Sequence, residues 1–498
     1  MSYLELLKLA APEAIVVLTA LAVLTIGLTT TRALVLGPIV AVLGIAVAIG
    51  AILILPQHAN LFGGMLVISP LNSLFKIICL ALAIATVPLV SSEKSLPNPG
   101  EYIAVLLLGS VGLMLLVGSE ELLMIFIGLE LLGLSLYVLA AFDKTDIRSA
   151  EAGLKYFLFG STASAFTLFG ISLVYGMSGT TALAAIGQKL TTLPLQPLLA
   201  VGIVMTLIGF AFKIAAAPFH LWAPDAYQGA PIPSAAFIAS GSKVASFVVL
   251  GKIVLIGFGP VHGSADWHAM IAGWSPVLAA LAALSILLGN FVALAQTNVR
   301  RLLAYSAVAH GGYTLLGIVA GGREGFSATL FYTSIYAVTL IGAFAVVGAV
   351  RRESGGDNLQ NFSGLAARSP FLAACMSIFF LSLAGLPPLA GFFGKFYLFS
   401  AAYRAGENHG LLWLVAIALF GSFVSLYYYL IVLKVIFIDK LSESESRHSL
   451  ATPELSGGGS LVPGHFVANA TIALLAAAVL FLGIMPQTLA AKIISSLP

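Results

Sequence analysis

Long apolar stretches, separated by short polar connections, run through the whole of this 498-residue sequence. A helix crosses a bilayer core about 30 Å thick with roughly 20 apolar residues, and about fourteen stretches of that length occur here. They lie near residues 11–28, 33–55, 68–90, 102–118, 122–141, 153–176, 197–218, 233–257, 274–296, 302–320, 326–350, 372–400, 411–438 and 466–486. The pattern predicts an all-α, polytopic membrane protein with about 14 transmembrane helices.

The composition supports this prediction and excludes several other classes of protein. Hydrophobic residues make up 60% of the chain, charged residues only 9%, and the mean hydropathy is +1.06. No basic patch is available for nucleic acid. Cys79 and Cys375 lack CxxC spacing, so iron–sulfur clusters, c-type haem and a disulfide framework have no ligands. We therefore expect neither a cofactor nor a metal in this chain, and any electron carrier must belong to another chain.

The distribution of positive charge predicts the orientation, since cytoplasmic loops collect Lys and Arg. Connections after odd-numbered stretches hold eleven such residues: Arg32, Lys94, Lys144, Arg148, Arg300, Arg301, Arg351, Arg352, Arg368, Lys440 and Arg447. The other side holds five: Lys8, Lys189, Arg323, Arg404 and Lys492. This bias predicts that the N-terminus lies outside the cytoplasm and, with an even number of spans, that the C-terminus lies on the same side. The connection 439–465 is interpreted as a flexible cytoplasmic loop.

Two distant segments combine helix-breaking residues with a lysine inside apolar sequence. They are FKIAAAPFH (212–220) and AGLPPLAGFFGK (384–395). Proline and glycine within a span free backbone groups, which is tolerated only beside protein or a hydrated cavity. Broken helices in the seventh and twelfth spans are therefore predicted, and such helices are typical of transport sites.

The spacing of the two breaks predicts the internal organisation of one membrane domain, residues 1–498. Because the breaks are five spans apart, we predict two five-helix repeats, 102–257 (spans 4–8) and 274–438 (spans 9–13). An odd number of spans in each repeat would invert the second relative to the first. Residues 1–90 and 466–486 would then form peripheral helices.

The basic residues within the stretches are all lysines, although the chain also has arginines. They are Lys76, Lys155, Lys213, Lys243, Lys252, Lys395 and Lys434. A desolvated lysine can lose its proton, whereas an arginine effectively cannot, so this asymmetry indicates proton handling. For Lys76, Lys252 and Lys434, which lie near predicted helix ends, snorkelling of the ammonium to the membrane interface is the favoured interpretation.

The other buried lysines are stronger candidates for function. Lys213 and Lys395 adjoin the breaks, and Lys243 lies near the middle of a span. Among acids, Glu130 lies well inside a span, where a charge opposes insertion by roughly 2.5–3.5 kcal/mol. A carboxylate that approaches a buried lysine favours the ammonium, and its withdrawal favours release of the proton, so the two would form a switch. A purely structural buried pair is the alternative.

Two further sets of residues leave both a functional and a structural interpretation open. Glu151 stands one helical turn before Lys155, so the pair is either a salt bridge or a proton relay. His220 follows the first break and His310 lies within the tenth span. An imidazole there could pass protons near neutral pH, or it could be a satisfied core residue.

Several motifs occur in one order along the chain: Glu130, FKIAAAPFHLWAPDAYQGAP (212–231), Lys243 in GSKVASF, and GLPPLAGFFGKFYLF (385–399). In these motifs the chain resembles the antiporter-like membrane subunits of respiratory complex I, the bacterial proton-pumping NADH–quinone oxidoreductase. The resemblance covers nearly the whole chain and includes YVLAAFDKTDIRSAEAGLKYFLFGS (137–161) and TNVRRLLAYSAVAHGGY (297–313).

The resemblance implies roles for individual residues. Glu130 takes the position of the family's fifth-helix glutamate, and Lys213 that of its partner lysine on the broken seventh helix. Lys243 matches the central-axis lysine of the eighth helix, and Lys395 the terminal lysine of the broken twelfth helix. Residues that match the family's supporting positions on the proton path are Glu151, Lys155, His220 and, on the central axis, His310.

The resemblance also implies partners and the location of the redox chemistry. Such subunits bind neither flavin nor quinone, so FMN, iron–sulfur clusters, NADH and quinone would lie in other subunits. The expected partners are other membrane subunits, including a second antiporter-like subunit and small membrane subunits, together with the lipid bilayer. No nucleic acid is expected.

Departures from each branch of the family favour the subunit N (subunit 2) branch. The chain ends at Pro498, without the long lateral helix typical of subunit L, and Lys395 stands where subunit M usually has a glutamate. The D component of multisubunit sodium/proton antiporters shares the fold and the lysine, and it is the alternative. YQGAP (227–231) and DIRSAEAGLKYF (146–157) favour subunit N.

Three hypotheses of function follow from these observations. The first is a proton-translocating subunit of a redox-driven enzyme, with a hydrated polar chain along the bilayer midplane. Its members would be Glu130, Lys213, Lys243, His310 and Lys395. The second is cation/proton antiport, which needs oxygen ligands for sodium that this lysine-rich interior offers sparingly. The third is a structural scaffold in which the charges only pair.

Overall fold

Helix dominates the computed structural model, which describes residues 3–30, 32–93, 96–192, 195–405, 409–439 and 463–497. It is 81% helical, which confirms the all-α prediction. The predicted loop 439–465 falls almost entirely outside the described residues. Lys94, Lys440 and Arg447, which entered the orientation count, also lie outside them.

The elements follow one another as a series of helices with one small hairpin. The N-terminal part contains α1 (Tyr3–Leu9), α2 (Ala11–Thr29), α3 (Ala33–Ile54), the antiparallel strands β1 (Ala59–Leu61) and β2 (Leu66–Ile68), and α4 (Pro70–Val90). Then come α5 (Pro99–Gly118), α6 (Leu122–Ala140), α7 (Ile147–Ser178), α8 (Leu183–Leu190), α9 (Pro197–Lys213), α10 (Trp222–Gly229), α11 (Ile232–Ala239) and α12 (Gly241–Lys252). The remainder comprises α13 (Trp274–Leu294), α14 (Val299–Ala320), α15 (Gly322–Ser354), α16 (Leu365–Arg368), α17 (Pro370–Ala384), α18 (Ala390–Arg404), α19 (Leu412–Phe437), α20 (Pro463–Ile484) and α21 (Gln487–Ser496).

Each predicted apolar stretch overlaps a helix or a pair of helices. Within the described residues, 12 helical segments are long and apolar enough to cross a membrane. The predicted twelfth span is instead divided into α17 and α18. In the predicted seventh span, α9 ends at Lys213, and the chain becomes helical again only beyond that span, in α10. The two expected breaks are therefore present. The total of fourteen crossings and the inverted relation of the two repeats stay predictions.

The centre of the molecule is formed by the eighth, tenth and eleventh predicted spans. The fraction of buried residues in the most apolar part of each helical segment shows this. It is 94% in the segments Ile232–Gly257, Val299–Ala320 and Gly322–Ser354, but only 28% in α2 and in α3. A polar side chain on the three central segments therefore has to find its partners within the protein, because an unpaired polar group in an apolar interior is costly.

The first break is stabilised by polar groups of neighbouring elements. After α9 ends at Lys213, the chain resumes a helix at Trp222. The amide of Ala217 donates to the hydroxyl of Ser285 on α13 at 2.8 Å, and the indole of Trp222 donates to the carbonyl of Phe212 at 3.0 Å. These contacts satisfy backbone groups that lipid could not, as irregular backbone at membrane depth requires.

The second break has a glycine at its turn, and a third interruption was not predicted. After α17, Gly385 adopts a left-handed conformation with φ of 86°, and α18 begins at Ala390. Between α11 and α12, Ser240 has φ of −112° and ψ of −87°, which ends one helix and starts the next. This interruption lies three residues before Lys243.

Candidate functional site

Three buried lysines lie beside the three helix interruptions. Lys213 is the last residue of α9, Lys243 lies in the first turn of α12, and Lys395 lies in the second turn of α18. Their exposed fractions are 4%, 2% and 4%. Among the described residues, none of the three forms an ion pair with a carboxylate within 4.0 Å. Their charges are therefore not neutralised by a direct partner.

Glu130 and Lys213 face the same small cavity between α6, α7 and α9. The residues that line it include Glu130, Lys213, Tyr137, Ser164 and Thr167. Its volume is about 20 Å³. This is room for about one water molecule. The hydroxyl of Ser164 donates to Oε1 of Glu130. The structure thus brings the predicted pair into one compartment without direct contact between their charges.

Aromatic rings surround the ammonium group of Lys213. Its Nζ lies 5.8 Å from the centroid of the Tyr137 ring and 5.7 Å from that of Tyr156. A Cβ placed on Gly133 would lie 3.6 Å from the same Nζ. Since Gly133 follows Glu130 by three residues on α6, the ammonium lies close to the helix turn that carries the carboxylate.

Lys243 contacts the central helix α14. Its Nζ donates to the carbonyl of Ala307 at 2.6 Å, and it lies 5.5 Å from the centroid of the Tyr336 ring on α15. A carbonyl oxygen and an aromatic face stabilise an ammonium without supplying a full negative charge. Lys243 is therefore solvated by neutral groups of two other helices.

His310 lies on α14, three residues beyond the carbonyl that Lys243 contacts. It is 2% exposed. Its Nδ1 lies 2.6 Å from the hydroxyl of Tyr332, and its Nε2 lies 3.2 Å from the hydroxyl of Tyr429. Both ring nitrogens of His310 therefore have hydrogen-bond partners, as the interpretation of a satisfied core histidine requires. Both partners, however, are hydroxyl groups that can themselves exchange a proton.

Lys395 contacts the C-terminal end of the helix that precedes the second break. Its Nζ donates to the carbonyl of Ala384, the last residue of α17, at 3.0 Å and to the hydroxyl of Ser422 at 2.9 Å. The C-terminus of a helix carries a partial negative charge, which favours a cation there. The ammonium also lies 5.2 Å from the centroid of the Tyr313 ring.

Glu151 and Lys155 belong to a charge cluster that is partly exposed. Nζ of Lys155 lies 2.6 Å from Oε1 of Glu151 and 2.7 Å from Oδ2 of Asp225, whose other oxygen lies 2.7 Å from Arg301. With Arg148, these acids and Arg301 line a cavity of about 310 Å³. The cluster connects α7, α10 and α14 at one end of the bundle.

Asp225 was not singled out from the sequence, although it lies within the FKIAAAPFHLWAPDAYQGAP block. Its side chain is 26% exposed, and it bridges two cations from different helices. Its position on α10, directly after the first break, could have identified it, because helix breaks within a membrane mark candidate transport sites.

His220 lies within the first break and does not join the other candidates. It is 5% exposed, its ring centroid lies 6.2 Å from that of Tyr305, and its Nδ1 has no hydrogen-bond partner in the part of the chain that is described. A buried nitrogen without a hydrogen-bond partner is uncommon, because buried polar groups normally bond to protein or to ordered water.

Snorkelling is wrong for Lys76 and Lys252. Lys76 is 6% exposed, and its Nζ lies 2.6 Å from Oε1 of Glu13. Lys252 is 2% exposed, and its Nζ lies 3.8 Å from a carboxylate oxygen of Glu120. Helix packing, which brings in partners distant in sequence, overrides their position near helix ends. Lys434 is exposed, as snorkelling requires.

No metal centre emerges from the described ranges, in which no group of three or more His, Cys, Asp or Glu side chains comes together. The buried polar side chains of the central helices include lysines, tyrosines, serines and His310. Such groups can bind and transfer protons.

Comparisons with known proteins match nearly the whole chain. A family model described as "NADH:quinone oxidoreductase/Mrp antiporter, TM" matches residues 119–425. The NADH-quinone oxidoreductase subunit N 2 of Acidobacterium capsulatum is 44% identical, in an alignment that covers 98% of this chain and 98% of that protein.

Solved structures agree with this match. A chain of respiratory complex I from Thermus thermophilus with bound Aureothin has a TM-score of 0.77 at 32% identity, with 96% of this chain and 98% of that chain covered. A chain of the Mrp complex from Dietzia sp. DQ12-45-1b has a TM-score of 0.83 at 21% identity, with 99% and 97% covered, and so shares the fold. The chain therefore belongs to the antiporter-like membrane subunits of the NADH:quinone oxidoreductase/Mrp antiporter family, on the subunit N branch.

Proposed function

We propose that this chain translocates protons as a membrane subunit of a redox-driven NADH–quinone oxidoreductase. The observation that carries the proposal is the contrast between two sets of buried lysines. Lys76 and Lys252 have carboxylates within 4.0 Å. In the described ranges, the three lysines beside the helix interruptions have none. A central charge opposes membrane insertion by roughly 2.5–3.5 kcal/mol, so unneutralised lysines are best explained by use of their protons.

The proposed path runs along the bilayer midplane and combines the contacts described above. Glu130 and Lys213 line one cavity, and Lys243 bonds to the carbonyl one turn from His310. His310 and Lys395 share a neighbour, because the Tyr313 ring lies 5.5 Å from the imidazole and 5.2 Å from the ammonium. The order of the path is Glu130, Lys213, Lys243, His310 and Lys395.

The first pair would work as a switch. At an effective dielectric constant of about 20, a carboxylate brought to about 4 Å from an ammonium stabilises it by about 4 kcal/mol. In this structure Ser164 bonds the Glu130 carboxylate, and Lys213 has no counter-charge in direct contact. We propose that this is the state in which Lys213 gives up its proton towards Lys243, and that approach of Glu130 reloads it.

The charge cluster of Glu151, Lys155, Asp225 and Arg301 would supply this switch with protons. Three of its members, Glu151, Asp225 and Arg301, line a cavity of about 310 Å³ at the end of the bundle. Asp225 lies on α10, whose start marks the end of the first break. His220, with its unpaired buried nitrogen, would act between this cluster and the central helices.

The family supports a proposal for the membrane and the partners of the chain, and the distribution of Lys and Arg supports one for its orientation. We propose that it lies in a bacterial inner membrane with both termini on the periplasmic side. Its partners would be a second antiporter-like subunit and small membrane subunits. FMN, iron–sulfur clusters, NADH and quinone would act in other chains, so that redox energy reaches this chain through movement of its partners.

A role as the D component of a multisubunit sodium/proton antiporter is the alternative function. The similarity to the Mrp complex chain, at 21% identity, concerns the fold. Sodium prefers hard oxygen ligands, whereas the interior site combines one carboxylate with three lysines. The composition of the site therefore favours protons.

The Lys213→Ala variant tests the proposal in the assembled complex. We expect proton uptake and quinone reduction in proteoliposomes to fall at least about tenfold while native gels show normal assembly. Lys434→Ala, which removes an exposed lysine of α19, is the matched control. Unchanged activities in Lys213→Ala would make Lys213 a structural charge and overturn the proposal, whereas failed assembly would favour the scaffold hypothesis.

A further inference from the structure

His310 is bonded at both ring nitrogens by tyrosine hydroxyls from two other helices. Tyr332 comes from α15 and Tyr429 from α19, and their exposed fractions are 2% and 0%. A neutral imidazole has one donor and one acceptor nitrogen, so one hydroxyl donates to the ring while the other accepts from it. The row Tyr332–His310–Tyr429 therefore has two arrangements, which differ by the transfer of protons along it.

The row continues from Tyr429 towards the second break. Its hydroxyl bonds to Ser306 on α14, and its ring centroid lies 4.6 Å from that of Tyr428. Tyr428 donates to Oδ1 of Asn290 at 3.2 Å, and the amide of Asn290 donates to the hydroxyl of Tyr313 at 2.9 Å. All five side chains are buried, and they are joined by these hydrogen bonds and by the ring contact between the two tyrosines.

One end of this row approaches a lysine directly, because Nζ of Lys395 lies 5.2 Å from the centroid of the Tyr313 ring. At the other end, Nζ of Lys243 lies over the ring of Tyr336, whose centroid lies 6.5 Å from that of the Tyr332 ring. The hydroxyl of Tyr336 is buried and unpaired among the described residues. Tyr336 and His310 line one cavity of about 10 Å³, which approaches the size of one water molecule.

We propose that Tyr332, His310 and Tyr429 form a hydroxyl–imidazole relay that carries protons between Lys243 and Lys395. The relay rests on the proposed function and names the groups that bear the proton in its central section.

Each transfer along the relay conserves protons and moves no electrons. A proton that binds to the Tyr332 oxygen releases the original hydroxyl proton to Nδ1 of His310. The Nε2 proton then passes to the Tyr429 oxygen, whose own proton moves on to Ser306, and Ser306 releases its own hydroxyl proton in turn towards Lys395. One bond to hydrogen forms for each that breaks, and the hydroxyls and the ring have to reorient before the next transfer in the same direction.

Removal of single hydroxyl groups tests the relay in the assembled complex. Tyr332→Phe and Tyr429→Phe keep the rings and delete the oxygen atoms. Tyr102→Phe is the matched control, because the Tyr102 hydroxyl is also buried and bonds to Ser234 at 2.5 Å, away from the relay. Proton uptake and quinone reduction are measured in proteoliposomes, in H₂O and in D₂O, for each variant that assembles on native gels. Lys243→Met is measured alongside.

The expected result is a fall of at least about tenfold in both relay variants, with a larger solvent isotope effect than in the unmodified complex, and normal activity in Tyr102→Phe. A purely structural role would not raise the isotope effect. Normal activity in both relay variants together with loss in Lys243→Met would overturn the relay and leave the proposed function intact. Normal activity in Lys243→Met as well would overturn both, and an equal loss in Tyr102→Phe would make the effect one of packing.

Discussion

The buried ion pair of Glu13 and Lys76 offers a quantitative test of the distinction between structural and proton-carrying lysines. The two side chains are 11% and 8% exposed, and their charged atoms are 2.6 Å apart. Deletion of one partner leaves an uncompensated buried charge, which costs about 3–5 kcal/mol, whereas replacement of both by apolar side chains is often neutral. We therefore expect Lys76→Met to destabilise the protein by about 3–5 kcal/mol and Glu13→Leu/Lys76→Met to restore most of that loss.

Thermal denaturation of the purified complex and the assembled fraction on native gels measure these effects. Since proteins are stable by about 5–15 kcal/mol, the single variant should lose a large part of its assembled complex. Lys434→Met, at an exposed position, is the control. The double variant should still translocate protons.

Two results would contradict this reasoning. If the double variant were as unstable as Lys76→Met, Glu13 would not be the group that Lys76 neutralises. If the double variant assembled normally but translocated no protons, this pair would belong to the proton path, and the absence of a nearby carboxylate would no longer distinguish the functional lysines.

Two further predictions concern the cluster and the first cavity. Asp225→Asn removes the charge that bridges two cations, so quinone reduction per assembled complex should fall. Asp225→Glu keeps the charge and should retain more of the quinone reduction activity. Equal activity in the two variants would exclude a role for the charge. Gly160→Ala would place a Cβ in collision with the Tyr137 hydroxyl and should therefore disturb the Glu130–Lys213 cavity and lower proton uptake. Gly176→Ala, with open space around its Cβ on the same helix, is the control, and equal uptake in the two alanine variants would show that the cavity tolerates the displaced ring.

The elements of the fold that depend on local sequence could be predicted. Apolar length located the helices, and Pro218 and the GLPPLAG segment located two breaks, because proline and glycine act on their own helix. The interruption at Ser240 was missed, since no proline marks it. Its position beside Lys243 becomes meaningful only when the bend is seen.

Contacts between helices could not be predicted in the same way. Glu13 lies 63 residues from Lys76, and Tyr429 lies 119 residues from His310, so burial and pairing depend on packing that no local pattern reveals. Lys213, Lys243 and Lys395 were identified because a charge in an apolar span is conspicuous. The tyrosines around them were not, because tyrosine is common in apolar spans and its hydroxyl becomes informative only with a partner.

The tyrosine rings near Lys213, Lys243 and Lys395 determine which charge is left in the core when one of these lysines loses its proton. An aromatic ring attracts a cation through its quadrupole but carries no net charge. Deprotonation of Lys243 or Lys395 therefore leaves a neutral amine beside a neutral ring, whereas deprotonation of Lys76 would leave the Glu13 anion stranded in the core. Fluorine substituents on these tyrosine rings would weaken the attraction of the ring for a cation with little change in its shape, and so would adjust the occupancy of each lysine by protons in graded steps.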